Sequence, residues 1–283
     1  MKRNETATLF SGGTDSTLTA ALMADKFDKI HLITYDRFAF SSVMNPMVNV
    51  QKLRDKYGED KFDFHVIKVE KLTRFVFYER YAHNIRKHGF FLLTICGLCK
   101  LAMHVRTVIF CLENGIPNVS DGANQGMHLF PAQMANVIKE YGDMYTRFGI
   151  TYSNPVFKYE GPQDLDFTDR LRLERVLSRD KEPTGGTTTK EANTTGRKLY
   201  ELGLMPSENV KGSELDRKMQ PRCFQFILFN VFVHWLYLAD HTYDEYQDAT
   251  VRFYRDKIAA MTAQLDDYVN NGAKSRLSKI IER

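Results

Sequence analysis

Short apolar runs alternate with amphipathic stretches through the first half of the chain. Ala7-Thr8-Leu9-Phe10 is an apolar run that stops at two glycines, which predicts a short buried strand. Thr17 to Phe27 carries Leu18, Ala21, Leu22 and Met23 on an apolar helical face. Ile30 to Tyr35 predicts a second strand, Asn45 to Tyr57 a helix, and Phe62 to Val69 a third strand with Phe64, Val66 and Ile67 among polar neighbours. Lys71 to Lys87 reads as a helix. Leu101 to Asn114 reads as a longer one, ended by Gly115 and Pro117. Asn118 to Asp121 and Thr151 to Phe157 complete a set of five strands.

Strand–helix–strand alternation at this spacing predicts an α/β fold, with a doubly wound, parallel five-stranded sheet over residues 1–160. The pattern then changes. Thr168 to Ser178, Thr195 to Leu202, Gln220 to Asp240 and Tyr243 to Asn270 all read as helices. Residues 161–283 are therefore expected to form a mostly helical region for substrate binding or oligomerisation. Pro183 to Thr189, small and polar, is a surface loop or a lid. Ligands of doubly wound sheets sit outside the carboxyl ends of the strands. That rule singles out Ser11 to Ser16, Asp36, and Asp121 to Asn124.

Composition narrows the partners. The chain has 283 residues, 43% of them hydrophobic and 26% charged, as in ordinary globular domains. A net charge of +4 permits an anionic partner such as ATP or RNA, without the dense basic patch that would itself argue for nucleic acid. Arg170, Arg172, Arg175 and Arg179 cluster, and read first as a solvated helix face. The longest apolar stretch, Phe226 to Ala239, is broken by Asn230 and His234. It falls short of the roughly 20 residues that a membrane-spanning helix needs. No secretory leader is read at the start, so a cytoplasmic location is expected. In a reducing compartment the four cysteines point to metal binding or catalysis ahead of disulfides.

Ser11-Gly12-Gly13-Thr14-Asp15-Ser16-Thr17 lies between the first strand and the first helix. That junction turns backbone N–H groups and a helix N-terminus toward an anion. The glycines allow close approach, and Ser11, Ser16 and Thr17 add hydroxyl donors. Asp15 would repel a phosphate, so a role through Mg²⁺ is the natural one. The spacing fits neither Gly-x-x-x-x-Gly-Lys-Ser/Thr nor Gly-x-Gly-x-x-Gly. Cys96-Gly97-Leu98-Cys99 puts two thiols within reach of one metal or cluster. Cys111, on the same predicted helix run, lies about 18 Å along the axis from Cys99, which makes it a core thiol. Cys223 follows Gln220-Pro221-Arg222. Three thiolates leave a coordination position open, as in a catalytic metal site or a [4Fe-4S] cluster with one free iron. A zinc site, a redox dithiol and buried thiols without metal stay open as alternatives.

The string Ser11 to Ser16 resembles the Ser-Gly-Gly-x-Asp-Ser signature of the PP-loop ATP pyrophosphatase superfamily, the adenine nucleotide alpha hydrolase-like group, at every specified position. The resemblance implies an adenine nucleotide at the sheet edge, release of pyrophosphate, and an adenylylated intermediate. It places the adenosine by Tyr35 and Asp36. Cys96, Cys99 and Cys223 resemble, in order and separation, the three cysteines that hold a [4Fe-4S] cluster in the tRNA 2-thiolation enzymes of that superfamily. Lys100 follows the pair directly. Thr151 to Lys158, with Asn154-Pro155-Val156, looks like the final strand of the family. There are two departures. The terminal Cys/His zinc modules are missing, and the usual Gly-His-Asn-x-Asp-Asp is replaced by Ser120-Asp121-Gly122-Ala123-Asn124-Gln125-Gly126.

The resemblance implies an ATP-dependent sulfurtransferase. It would adenylylate a carbonyl oxygen on a nucleobase or small heterocycle and replace it with sulfur from a separate donor. Asp15, Lys100 and Asp121 are the candidate catalytic residues. Asp121 also reads as an Asx turn, and Lys100 as a solvated lysine. The departures set a small-molecule or nucleobase acceptor ahead of tRNA. Rival readings are a PP-loop amidotransferase, ligase or 7-cyano-7-deazaguanine synthase-like enzyme, and a non-catalytic nucleotide sensor. His104 reads as a core or surface histidine. The aromatic run Phe224 to Tyr237, with Trp235, reads as core or a homodimer interface.

Overall fold

Leu9, Ile33 and Tyr35 are buried in one apolar core, and Ile30 and Leu32 in a second. Successive side chains of a strand point to opposite faces, so this alternation means a sheet covered on both sides. The computed structural model describes residues 4–38, 40–89, 97–127, 130–160, 193–223 and 232–282. In chain order the elements are β1 (Glu5–Leu9), α1 (Thr14–Ala24), β2 (Lys29–Asp36), β3 (Phe40–Ser41), α2 (Met47–Tyr57), β4 (Phe62–Lys68), α3 (Glu70–Tyr78), α4 (Tyr81–His88), α5 (Leu98–Asn114), β5 (Asn118–Asp121), α6 (Ala135–Arg147) and β6 (Thr151–Ser153). There follow α7 (Thr195–Glu201), α8 (Glu214–Lys218), β7 (Arg222–Cys223), α9 (Tyr243–Asn271) and α10 (Arg276–Ile280).

Five strands form one parallel sheet in the order β4-β2-β1-β5-β6. The predicted doubly wound α/β fold is present. The winding reverses at β1: the chain adds β2 and β4 on one side of it, then returns to add β5 and β6 on the other. A reversal leaves a crevice beyond the carboxyl ends of β1 and β5. One core packs α3, α5, α6 and α9 on the sheet, and the other packs α1, α2 and α7. Leu199 and Met205 join Leu18 in the second core, while Tyr246, Phe253 and Tyr254 join Leu101 and Val105 in the first. Residues beyond 192 are thus integral to both faces. No helix among the described residues is long and apolar enough to cross a membrane.

Tertiary contacts moved several predicted boundaries. The helix expected over 71–87 is split into α3 and α4, with Arg80 in the left-handed region at φ 51°. The break coincides with buried Lys257, whose Nζ donates to the carbonyls of Val76 and Glu79 at 2.7 Å each. The last strand stops at Ser153, where Asn154-Pro155 begins a turn closed by Phe157 N–H to the Asn154 carbonyl at 3.2 Å. Residues 222–223, expected at the start of a helix, instead form β7, antiparallel to β3. The expected helix over 168–178, the loop over 183–189, the arginine cluster, Cys96 and most of the aromatic run lie outside the described residues. Helix α6 was not foreseen. It buries Val137, Tyr141, Met144 and Tyr145.

Candidate active site

The loop after β1 is braced from within. Ser16 Oγ lies 3.1 Å from Ser11 Oγ and donates to the Gly13 carbonyl at 3.1 Å. The Gly12 carbonyl accepts from Asn49 Nδ2 at 2.6 Å and from Thr17 Oγ1 at 3.2 Å. Gly12 has φ +77°, and a Cβ there would stand 2.1 Å from the Met219 carbonyl oxygen. Helix α1 starts at Thr14, three residues before the predicted start, so Asp15 and Ser16 sit in its first turn. The backbone N–H groups of Thr14, Asp15 and Ser16 have no acceptor among the described residues. First-turn N–H groups of this kind form an anion cradle.

The segment after β5 closes on the same helix end. A Cβ on Gly122 would lie 2.8 Å from Ser16 N. This close approach brings Asp121 toward Asp15. Lys100, in the first turn of α5, reaches Asp121 with Nζ 2.8 Å from Oδ2 and 3.1 Å from Oδ1. Tyr152 donates its hydroxyl to Asp121 Oδ2 at 3.1 Å. His104, fully buried, has Nε2 3.7 Å from the same oxygen and stacks on Tyr141, with ring centroids 4.0 Å apart. Burial by itself would raise the Asp121 pKa, but the Lys100 ammonium above all holds it below the usual carboxylate range. Asp15 goes the other way. Burial raises its pKa, and the hydrogen bond from Thr195 Oγ1 at 2.6 Å opposes that only in part.

These groups line one cavity of about 790 Å³, with Ser11, Asp15, Lys100, Asp121, Thr195 and Cys223 on its wall. The size is that of a small-molecule site. Tyr35 also lines it, but its hydroxyl is turned to Thr107 Oγ1 at 2.6 Å. Asp36 is not among the lining residues. Cys223 Sγ lies 3.3 Å from Arg37 Nη2. Cys99 is buried in the first turn of α5 beside Lys100, and Cys111 is buried further along the same helix. Thr195, Tyr152, Asn49 and Gln220 escaped the sequence reading. Each reaches the site from an element that carries no local signature; Thr195 lies 180 residues from Asp15.

The loop implies a nucleotide and Mg²⁺, and the cysteines imply a cluster. The first-turn N–H groups and the loop glycines suit phosphates. Two carboxylates, the buried Asp121 and the half-buried Asp15, have the hard oxygen donors that Mg²⁺ prefers. Cys99 and Cys223 offer the soft thiol donors of an iron–sulfur ligand set.

No protein-family model matches the chain, and no curated protein matches it. Among solved structures, a predicted subunit of tRNA methyltransferase from Methanocaldococcus jannaschii is similar over 54% of this chain and 69% of its own, at 20% identity and TM-score 0.35. The U34-tRNA thiolase NcsA from Methanococcus maripaludis, with its [4Fe-4S] cluster, is similar over 92% of this chain and 73% of its own, at 13% identity and TM-score 0.38. Likenesses at this level assign no chemistry to the chain, which rests on its own residues.

Proposed function

We propose that the protein is an ATP-dependent sulfurtransferase of the PP-loop kind, forming AMP and pyrophosphate. One observation carries the reading. The Ser11 to Ser16 loop and the Lys100–Asp121 pair open into the same cavity at the point where the sheet winding reverses. The loop N–H groups and hydroxyls bind the phosphates of ATP. Asp15 and Asp121 would hold Mg²⁺, which supplies charge neutralisation at the phosphates when bound. Lys100, already beside Asp121, adds a cation where negative charge develops on the departing pyrophosphate.

The reaction needs two displacements. A carbonyl oxygen of the acceptor attacks the α-phosphorus, the α–β bridging bond breaks, and pyrophosphate leaves. Sulfide then adds to the activated carbon and AMP departs with the oxygen. AMP is a far better leaving group than hydroxide, which is what the first step accomplishes. Cys96, Cys99 and Cys223 would hold a [4Fe-4S] cluster, which supplies an iron position able to carry sulfide when bound. The acceptor is a nucleobase or small heterocycle.

The test is the release of AMP and pyrophosphate from ATP with free nucleobases, nucleosides and tRNA as acceptors. Equal amounts of the two products are expected, with Asp15→Ala abolishing both. Tight ATP binding without turnover on any acceptor would instead mark a nucleotide sensor. Purification without oxygen separates sulfur from nitrogen chemistry. Iron and acid-labile sulfide in the chain are expected, and a colourless, iron-free protein sinks the sulfur reading.

A further inference from the structure

A second cluster of ligand-type side chains lies at the other edge of the sheet. Glu5 opens β1, Lys29 and His31 lie near the start of β2, and Asp63 and His65 near the start of β4. The register pairs Glu5 with Lys29 and His31 with Asp63, which puts all five residues on one sheet face. The five strands of this sheet run parallel, so these amino ends are remote from the phosphate loop. Glu5 and Ser11 are about 20 Å apart along β1 at roughly 3.3 Å per residue. Phe110 of α5 walls the cluster, with its ring centroid 5.9 Å from that of His31 and 5.2 Å from that of His65.

The two imidazoles meet nitrogen to nitrogen. His31 Nδ1 is 3.2 Å from His65 Nε2, and His31 Nε2 is 3.1 Å from Glu5 Oε2. A ring nitrogen facing a carboxylate carries the proton, so Glu5 leaves the lone pair of His31 on Nδ1, aimed at His65. This is the carboxylate–histidine arrangement that orients metal-binding imidazoles. Two ligand atoms of a tetrahedral ion with bonds of about 2.0–2.1 Å stand about 3.3 Å apart. The two nitrogens already have that separation. Asp63 supplies a third donor. Its Oδ2 is 4.0 Å from His31 Nδ1, and the donor atoms of all three residues lie within 4.8 Å of one another. The Asp63 side chain is 45% exposed and can close the remaining gap, against the pull of Lys29 Nζ at 2.8 Å.

We infer that His31, His65 and Asp63 form a binding site for a late first-row divalent metal ion, with Zn²⁺ as the reference, and that Glu5 is its positioning residue. Imidazole nitrogens with one carboxylate select this class over Mg²⁺ or Ca²⁺. On binding, the Nε2 proton of His65 moves to its Nδ1, and both facing lone pairs turn to the ion. A bound ion cross-links β2 and β4. The site is separate from the three cysteines and stands without the proposed reaction.

Zn²⁺ alone is titrated into the full chain and into a Cys96→Ser/Cys99→Ser/Cys223→Ser variant, followed by calorimetry. One equivalent is expected to survive in the cysteine variant, with a dissociation constant in the micromolar range or tighter. His65→Ala should remove that equivalent, and Glu5→Gln should weaken it about tenfold. Co²⁺ in the cysteine variant should give visible ligand-field bands without sulfur charge transfer. No binding to the cysteine variant, or binding unchanged by His65→Ala, overturns the site. If the cysteine variant does not fold, the comparison is made in the native chain. There His65→Ala and Asp63→Asn must each lower the zinc stoichiometry by one, and an unchanged stoichiometry overturns the inference.

Discussion

Lys100 Nζ lies 2.8 Å from Asp121 Oδ2, joining the first turn of α5 to the carboxyl end of a central strand. The contact is largely sequestered, with Asp121 side-chain exposure at 5%. It ties the residue after the cysteine pair to the crevice where the Ser11 to Ser16 loop ends.

Lys100→Met leaves the Asp121 carboxylate buried with the Tyr152 hydroxyl as its remaining donor. Removing one member of a buried pair costs about 3 kcal/mol. Urea unfolding should show that loss, and Lys100→Met/Asp121→Asn should recover part of it. Pyrophosphate release should fall in both variants.

Gly12→Ala places a Cβ 2.1 Å from the Met219 carbonyl oxygen in a residue at φ +77°. Either the loop or residues 219–220 must move. A destabilisation on the order of 2 kcal/mol is expected from the backbone conformation and the clash together. Thermal unfolding checks the first effect. An ATP titration checks the second, with weakened binding expected.

Burial drives the His104 imidazole from an ordinary 6.5 down to about 3, with Lys100 adding to the effect and Asp121 opposing it. The unfolded chain therefore binds this proton more readily than the folded one. The contribution of His104 to stability is full above pH 6.5 and is lost as pH falls from there through 3. Stability should drop by up to about 1.4 kcal/mol per pH unit in that window from this residue. His65, whose pKa burial also lowers, adds to the same slope. Denaturant titrations at a series of pH values should show a shallower slope for His104→Gln.

Cys111 is buried on α5, and burial pushes its thiol up to about 12. Such a thiol is a core group. Cys111→Ser should leave metal content and ATP turnover nearly intact, whereas Cys223→Ser should strip the metal. Elemental analysis of protein purified without oxygen checks both. The reverse outcome shows that Cys111 belongs to the ligand set.

The strands were legible because their apolar runs are local, with Gly12 closing off β1 and Gly115 and Pro117 separating α5 from β5. Ser11 to Ser16 was legible because a contiguous string is read without knowing the fold. Other features were hidden for a physical reason. The split between α3 and α4 coincides with Lys257, which arrives there only in the folded chain. Residues 222–223 become a strand because β3 is there to pair with them.

The sequence by itself determined the parallel sheet and the Ser11 to Ser16 loop between its first strand and first helix, since each depends on neighbours along the chain. Tertiary structure alone decided that Thr195 would donate to Asp15, that Lys100 would pair with Asp121, and that His31 would face His65. Those contacts join residues from separate elements, and the packing of helices on a twisted sheet sets their distances. Asp15 itself shows the division. Its place in the loop is written in the string, while its raised pKa comes from burial that no local pattern encodes.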